Sequence, residues 1–149
     1  MPENAVPPAE TASAPPVDWP ALVAAARAAR GRAYAPYSGY RVGAALLAGD
    51  GTVHTAGNVE NGIPALSACA ERLAVAAAVL AGAGDFRALA VVTDSSPPAR
   101  PCGLCRQTLV EFARDLPILC VNEQDEQAET TLAELFPTPF RLTEARRAP

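Results

Sequence analysis

Apolar residues spaced for helices alternate along this chain with short continuous apolar runs that are typical of buried strands. The predicted elements are, in chain order, a helix at 18–32, strands at 42–48 and 52–56, a helix from 67 or 69 to 81, a strand at 88–93, a helix at 103–114, a strand at 118–121 and a short last helix or turn at 130–135. Asp18 can cap the first helix, and Gly49-Asp50-Gly51 predicts a hairpin between the first two strands. This alternation predicts an α/β fold with helices layered on a sheet, and the hairpin makes that sheet mixed.

The second predicted helix is apolar on every side. Residues 73–80 read Leu-Ala-Val-Ala-Ala-Ala-Val-Leu. A helix without a polar face has to be covered all round, and a chain of 149 residues has few layers with which to cover it. The sequence therefore predicts that contacts between subunits cover part of this helix.

The two ends of the chain differ in composition from its middle. Residues 1–17 hold five prolines and four alanines without periodicity, which predicts a disordered tail, and residues 18–149 are expected to form a single domain. The first 17 residues also lack Lys, Arg and a continuous apolar stretch, so no export signal is predicted. The longest apolar run, near 73–81, is too short to cross a bilayer. We expect a soluble cytoplasmic protein without a membrane partner.

The charge balance argues against one class of partner. The chain has 12 basic and 16 acidic residues and a net charge of −4, with no cluster of Lys and Arg. Proteins that bind nucleic acids usually present a basic surface to the phosphates. We therefore expect a small-molecule substrate and no nucleic-acid partner.

Three of the four cysteines have the spacing of a metal site. Cys102 and Cys105 begin a predicted helix, so they share one face and can bind one metal ion, although alone they also fit a redox pair or a structural zinc site. Cys69, at the start of another predicted helix, can supply a third ligand and leave the fourth tetrahedral position to water, as in catalytic zinc sites. Cys120 could close a four-cysteine site, but it lies within a predicted strand and is expected to be a core residue.

Glu71 and Arg72 follow the first of these ligands directly. Zinc with three thiolates carries a net negative charge, which helix N-termini and Arg72, on the same helical face as Cys69, can offset. Glu71 could stand over zinc-bound water at the helix end, take its proton and pass that proton to a leaving amine. The alternatives are an exposed first-turn carboxylate that favours the helix dipole, and cysteines that are free thiols or a structural zinc site.

The spacing of these residues matches the signature of zinc-dependent deaminases, in which Cys-x-Glu is followed by Pro-Cys-x-x-Cys. Over roughly residues 34–140 the chain resembles the small homotetrameric cytidine deaminases. The blocks that carry the resemblance are PYSGYRVGAA at 36–45, NVEN at 58–61, CAER at 69–72, PCGLCRQ at 101–107, and ELFP at 134–137 followed by Phe140.

The resemblance implies a three-layer fold with a mixed five-stranded sheet flanked by helices, and one Zn²⁺ per subunit. It implies hydrolysis of cytidine and 2′-deoxycytidine to uridine and 2′-deoxyuridine with release of ammonia, a reaction of pyrimidine salvage. Asn58 and Glu60 would bind a ribose hydroxyl. The backbone near Ala70 would read the pyrimidine edge, Tyr40 would pack near the base, and Phe140 would reach the pocket of a neighbouring subunit in a homotetramer.

Two positions depart from the family pattern. The family usually has Phe where this chain has Tyr40, which adds a hydroxyl. After Asn61 the family typically reads Ala-Ser-Tyr, whereas this chain has Gly62-Ile63-Pro64. That family Tyr commonly contributes across the subunit interface, so the wall of the pocket and the substrate preference are expected to be affected here.

Two other functions stay open beside nucleoside deamination. A deaminase of the same fold could act on a modified cytosine nucleoside or on a blasticidin-type analogue. Asn58 and Glu60 argue against the blasticidin-type substrate, because deaminases of that class lack an Asn-x-Glu pair at this spacing. A non-catalytic interaction domain stabilised by zinc would need a closed metal site, and the open fourth position beside Glu71 argues against it.

Overall fold

The computed structural model describes residues 14–142, so the expectations for 1–13 and 143–149 lie outside the described residues. Its elements are α1 (Trp19–Arg30), β1 (Gly43–Ala48), β2 (Val53–Gly57), a 3₁₀ turn (Pro64–Leu66), α2 (Ala70–Leu80), β3 (Phe86–Thr93), α3 (Gly103–Val110), β4 (Pro117–Asn122), β5 (Gln127–Thr131) and α4 (Leu132–Leu135). Asp18 caps α1 as predicted, its carboxylate accepting a hydrogen bond from the Ala21 N–H at 3.0 Å.

The five strands form one mixed sheet in the order β2-β1-β3-β4-β5. β3 and β4 are parallel, and the other neighbouring pairs are antiparallel. α3 connects the two parallel strands. The segment that leads into α3 therefore begins at the carboxyl end of β3. The prediction of an α/β fold with a mixed five-stranded sheet flanked by helices is confirmed.

Both faces of the sheet are covered, and the alternation of side chains along β1 decides what each face contacts. Ala44 and Leu46 belong to the core beneath α2 and α3, whereas Ala45 and Leu47 belong to the core beneath α1. Gly43 is required where α1 crosses the sheet, because a Cβ there would overlap the carbonyl oxygen of Ala26. The result is a three-layer domain with α1 on one side and the other helices on the opposite side.

Some predicted boundaries were wrong. Residue 130 was placed at the start of a helix or turn, but it lies in β5, and α4 begins only after Thr131, whose side chain caps it. β5 is a polar edge strand reading Gln-Ala-Glu-Thr-Thr and pairs with β4 alone, so it has no hydrophobic pattern to reveal it. α3 ends at Val110 rather than at residue 114. After Val110 the chain turns, and residues 112 and 113 pack against the core.

α2 is only half covered by its own chain. Ala74, Val75 and Ala78 are buried in the core, but Leu80 is 89% exposed and Val79 is 40% exposed. The expectation that another subunit covers part of this helix therefore concerns an exposed apolar face of α2. Among residues 14–142, no helix combines the length and the apolar composition that a bilayer-spanning segment needs.

Candidate functional site

A pocket of about 500 Å³ opens on the side of the sheet that α2 and α3 cover. Its walls come from the loop before β1, the segment between β2 and α2, the end of β3 and the start of α3. Small-molecule sites in proteins usually have volumes of about 300–1,000 Å³ and mostly apolar walls with a few polar groups. Both parts of this description apply, because apolar residues such as Val42 and Val91 contribute to the lining, and its polar groups include two cysteines and the side chains of Asn58, Glu60 and Glu71.

The sulfur atoms of Cys69, Cys102 and Cys105 all lie within 4.8 Å of one another. The Sγ atom of Cys102 is 3.8 Å from that of Cys69 and 3.5 Å from that of Cys105. A tetrahedral zinc ion with Zn–S bonds of about 2.3 Å holds its sulfurs about 3.8 Å apart. Three thiols at this spacing therefore fit zinc, and they leave the fourth position of the tetrahedron to a group in the pocket.

Two helices place these ligands. Cys69 is the N-cap residue of α2, Cys102 is the N-cap residue of α3, and Cys105 lies in the first turn of α3. Hydrogen bonding with the Cys105 thiol lowers the pKa of Cys69 to about 6, and the nearby Arg72 guanidinium acts in the same direction. Because the positive ends of both helices also face the cluster, this position favours thiolates, the form of cysteine that binds metals.

Glu71 lies beside this cluster and is only 5% exposed. Burial raises the pKa of its carboxyl group, and the neighbouring Cys69 thiolate raises it further. The side chain lines the pocket although it belongs to the first turn of a packed helix. A carboxyl group in this position can exchange protons with groups inside the pocket.

The wall formed by Asn58 and Glu60 is built by hydrogen bonds to the loop of residues 37–42. The Asn58 amide accepts from the Val42 N–H at 2.8 Å and donates to the Tyr40 carbonyl at 2.9 Å. The Glu60 carboxylate accepts from the Tyr37 N–H at 2.9 Å and lines the pocket. Both residues therefore hold the loop in place and still face the space where a ligand would bind.

Tyr40 closes the same wall. Its hydroxyl lies 3.2 Å from the Ser95 hydroxyl, which in turn lies 3.1 Å from the hydroxyl of Thr93 at the end of β3. Tyr40 and Thr93 both line the pocket. The hydroxyl that distinguishes Tyr from Phe at this position thus connects the loop before β1 to the segment that leads to Cys102.

Comparison with known proteins identifies the family. Residues 19–120 match the family model described as the cytidine and deoxycytidylate deaminase zinc-binding region. This chain belongs to that family. It is 45% identical over 125 residues to a cytidine deaminase of Sporosarcina psychrophila, a match that covers 83% of this chain and 92% of the relative. Zinc is accordingly the metal that fits the three cysteines.

Solved structures of the family share the fold. The crystal structure of cytidine deaminase from Burkholderia pseudomallei superposes with a TM-score of 0.80 at 43% identity, covering 83% of this chain and 100% of the other. The cytidine deaminase of Mycobacterium tuberculosis gives a TM-score of 0.74 at 39% identity, covering 85% of this chain and 100% of the other. Both matches extend over the full length of the solved chains.

Not every residue predicted for the site lies in the pocket lining. Ala70 is fully buried between two lining residues, so its side chain belongs to the core. Phe140 is 63% exposed and lies outside the lining of the pocket in its own chain. Cys120 is buried in β4 and is not part of the sulfur cluster. The first two positions are compatible with a backbone contact and a contact in another subunit, respectively, and these roles stay predictions.

Sequence reasoning gave no role to several residues that the structure places at the site. The Arg106 guanidinium donates to the Pro101 carbonyl at 2.7 Å, directly before Cys102, and to the Leu135 carbonyl at 2.8 Å. Ser38 bonds to Glu60, and Ser95 bonds to Tyr40. These partners lie 5 to 55 positions apart in the sequence, and only Arg106 lies near a motif that could have drawn attention to it.

Proposed function

We propose that this protein hydrolyses cytidine and 2′-deoxycytidine to uridine and 2′-deoxyuridine and releases ammonia. The observation that carries the proposal is a single pocket whose lining includes Cys69 and Cys102 of the cysteine cluster, the carboxyl group of Glu71 and that of Glu60, with the third cysteine, Cys105, buried behind it. The first two features suit hydrolysis of a carbon–nitrogen bond, and the third suits a substrate with sugar hydroxyls. The relatives described above are named cytidine deaminases, which supports cytidine as the substrate.

Glu71 moves the protons in this reaction. Zinc bound by Cys69, Cys102 and Cys105 supplies Lewis-acid activation of water at neutral pH. As the water oxygen bonds to C4 of the base, Glu71 accepts one proton from that water and delivers it to the amino group while the bond from C4 to that nitrogen breaks. The second proton of the water moves to N3, which gives the keto form of the product. Because Glu71 is only 5% exposed, few solvent molecules can reach its carboxyl group directly.

Asn58 and Glu60 hold the sugar in this proposal. Glu60 is an acceptor in a wall that is otherwise largely apolar, and the Asn58 amide keeps one N–H beyond the hydrogen bonds it makes to the loop. A ribose hydroxyl can donate to the carboxylate and accept from the amide. This pair favours a nucleoside over a free base, because a free base would leave the second N–H of Asn58 and the remaining acceptor capacity of Glu60 unused. The backbone near Ala70 and the ring of Tyr40 would then contact the pyrimidine.

A homotetramer completes the proposal. One chain leaves several large apolar side chains exposed, among them Val79 and Leu80 at the end of the apolar helix α2, and Ile63, Leu66 and Leu104, each at least 40% exposed. Apolar surface of this kind can mark a protein–protein interface. In such an assembly Phe140 would enter a neighbouring pocket beside the 62–64 segment. Analytical ultracentrifugation of the wild type and of Leu80→Glu tests this, because a monomeric wild type would contradict it.

We also place the protein in the cytosol, without a membrane or a nucleic acid as its partner. The structure has no disulfide among the described cysteines, and three of the four form the ligand cluster. A reducing compartment keeps such thiols free to bind metal.

The test of the activity is the loss of cytidine absorbance with time, measured for the wild type and for Glu71→Gln. The variant keeps the size of the side chain and removes its ability to carry the proton, so we expect turnover to fall by at least about 1,000-fold with zinc content unchanged. Incubation with a chelator should abolish wild-type activity, and added zinc should restore it. Near-native activity of Glu71→Gln would show that the mechanism is wrong.

A panel of substrates separates the proposal from its alternatives. Cytidine and 2′-deoxycytidine are expected to react, whereas blasticidin and a single-stranded oligonucleotide are not. The Gly62-Ile63-Pro64 segment forms part of the pocket wall through Gly62 and Pro64, so 5-substituted cytidines belong in the panel as well. A protein that binds zinc and converts none of these compounds would instead be an interaction domain.

A further inference from the structure

We propose that Ser38 is a positioning residue for sugar recognition, whose hydroxyl orients the carboxylate of Glu60 so that one oxygen faces the nucleoside. The inference rests on the proposed function, and it deepens that function by adding a residue that determines which nucleosides bind. Ser38 itself is exposed and does not line the pocket, so it acts through Glu60.

The direction of the Ser38 hydroxyl is fixed by its neighbours. The Tyr40 N–H donates to Ser38 Oγ at 3.0 Å, which uses the oxygen as an acceptor. The single hydroxyl proton is then free to point elsewhere, and the Glu60 Oε1 atom lies in hydrogen-bond contact with the same Oγ. Because a carboxylate can only accept, Ser38 must donate to Glu60.

An inventory of acceptor positions on Glu60 shows what remains for a ligand. Oε2 accepts from the Tyr37 N–H at 2.9 Å and from the Ser38 N–H at 3.2 Å, which fills both of its acceptor positions. Oε1 accepts from the Ser38 hydroxyl and keeps one position. Since Glu60 lines the pocket, that one position is where a donor on a substrate can bind.

The same contacts determine the chemistry of the ligand group. The hydrogen bond from the Ser38 hydroxyl, and then that from the Tyr37 N–H, lower the pKa of Glu60. An ionised carboxylate requires a donor, so this position selects a hydroxyl and disfavours a sugar that lacks one. Without the Ser38 hydroxyl, Oε1 would have two free positions, and water could occupy the position meant for the sugar.

The experiment compares binding of a nucleoside with and without sugar hydroxyls. Isothermal titration calorimetry with uridine and 2′,3′-dideoxyuridine is carried out on the wild type, Ser38→Ala and Ser38→Thr, because these product-like nucleosides bind without turnover. We expect Ser38→Ala to weaken uridine binding about tenfold, as loss of orientation at a charged hydrogen bond would. Dideoxyuridine binding should change less than about twofold. Ser38→Thr keeps the hydroxyl and should restore the preference for uridine.

Ser96→Ala is the matched control. Ser96 donates to the Glu126 carboxylate at 2.6 Å, so this variant removes the same kind of bond at a pair that does not line the pocket. It should leave the binding of both nucleosides unchanged. Melting temperature and zinc content are measured for every variant, so that a general loss of folding is recognised.

The outcomes separate this inference from the proposed function. If Ser38→Ala keeps the wild-type ratio of uridine to dideoxyuridine affinity, or weakens both equally, Ser38 does not orient Glu60 for the sugar and the inference is wrong. If the wild type does not convert cytidine, the proposed activity fails, while the calorimetric ratio still decides the role of Ser38. A Ser38→Thr variant that behaves like Ser38→Ala would also overturn the inference.

Discussion

The two ends of the pocket are built in different ways. At the metal side, Cys69, Cys102 and Cys105 sit at the first turns of α2 and α3, and the backbone of each helix fixes its ligands. Those helices pack on the sheet through buried residues such as Ala74 and Leu109. Of the three ligands only Cys105 is fully buried, whereas Cys69 and Cys102 are partly or fully exposed, so the packing depends mainly on residues other than the ligands at this end.

At the end formed by Asn58 and Glu60, which we call the sugar side after its proposed role, the same residues would serve both purposes. The loop of residues 37–42 has neither helix nor strand, and its backbone is bonded by the side chains of Asn58 and Glu60. Removing either side chain therefore takes a hydrogen-bond partner from backbone groups of the loop, and would also take one from the substrate. The comparison teaches that defects at the metal side should affect metal and turnover, whereas defects at the sugar side should affect stability and substrate affinity together.

The largest effect is expected for Cys102→Ala. Losing a group that only hydrogen-bonds a metal ligand already costs about 10–100-fold in metal affinity. Loss of the ligand itself should cost at least about 100-fold in zinc affinity and remove turnover. Zinc content by mass spectrometry and the cytidine assay measure both.

Cys120→Ala is the control for this prediction. Cys120 is fully buried in β4, so its replacement should lower the free energy of unfolding by about 1 kcal/mol and leave zinc bound. If Cys102→Ala and Cys120→Ala lost zinc to the same extent, all four cysteines would be ligands of a closed site. The metal side would then depend on a core residue, and it would no longer differ from the sugar side in keeping chemistry apart from folding.

A smaller effect, of a different kind, is expected for Asn58→Ala. Two backbone groups of the loop, the Val42 N–H and the Tyr40 carbonyl, lose their partner, which should lower the free energy of unfolding by about 2 kcal/mol in this half-buried place. KM for cytidine should rise more than kcat falls, with zinc content unchanged. Chemical denaturation and steady-state kinetics measure these changes.

Asn58→Asp sharpens that result. One carboxylate oxygen of the aspartate can still accept from the Val42 N–H. The other oxygen replaces the amide N–H that donated to the Tyr40 carbonyl, and two acceptor oxygens repel each other. We expect an intermediate loss of stability and a raised KM. A variant with lower kcat and native KM would contradict the division of roles between the two ends.

The metal side could be predicted from the sequence because its signals are local. Cys102 and Cys105 lie three positions apart at a helix start, and Glu71 lies two positions after Cys69, which begins another helix. Only the approach of the two helices had to be inferred. Continuous apolar runs likewise predicted β1, β3 and β4, and the Gly49-Asp50-Gly51 turn predicted β2 as the second strand of a hairpin.

The rest could not be predicted because it depends on pairs that are distant in sequence or have no pattern. Ser38 and Glu60 are 22 positions apart, and neither hydrophobicity nor motif spacing indicates that they bond. β5 pairs only with β4 and is polar, so its place in the sheet had to come from the resemblance to a family. The position of Phe140 relative to a second subunit has no local signal either.

The smallest effect is expected for Tyr40→Phe. The lost contact is a bond of 3.2 Å between two neutral hydroxyls on a residue that is 36% exposed, and Ser95 keeps its bond to Thr93. We expect stability to fall by about 0.5 kcal/mol and kcat/KM for cytidine to change less than about threefold. Ser95→Ala also removes the bond to Thr93, so it should lose more stability than Tyr40→Phe. The double variant should show little loss beyond that of Ser95→Ala, because the bond between Tyr40 and Ser95 is already gone. A tenfold rise in KM for Tyr40→Phe alone would instead show that the hydroxyl contacts the substrate. Tyr40 would then belong to the substrate-binding residues of the sugar side and would not only connect the loop to Ser95.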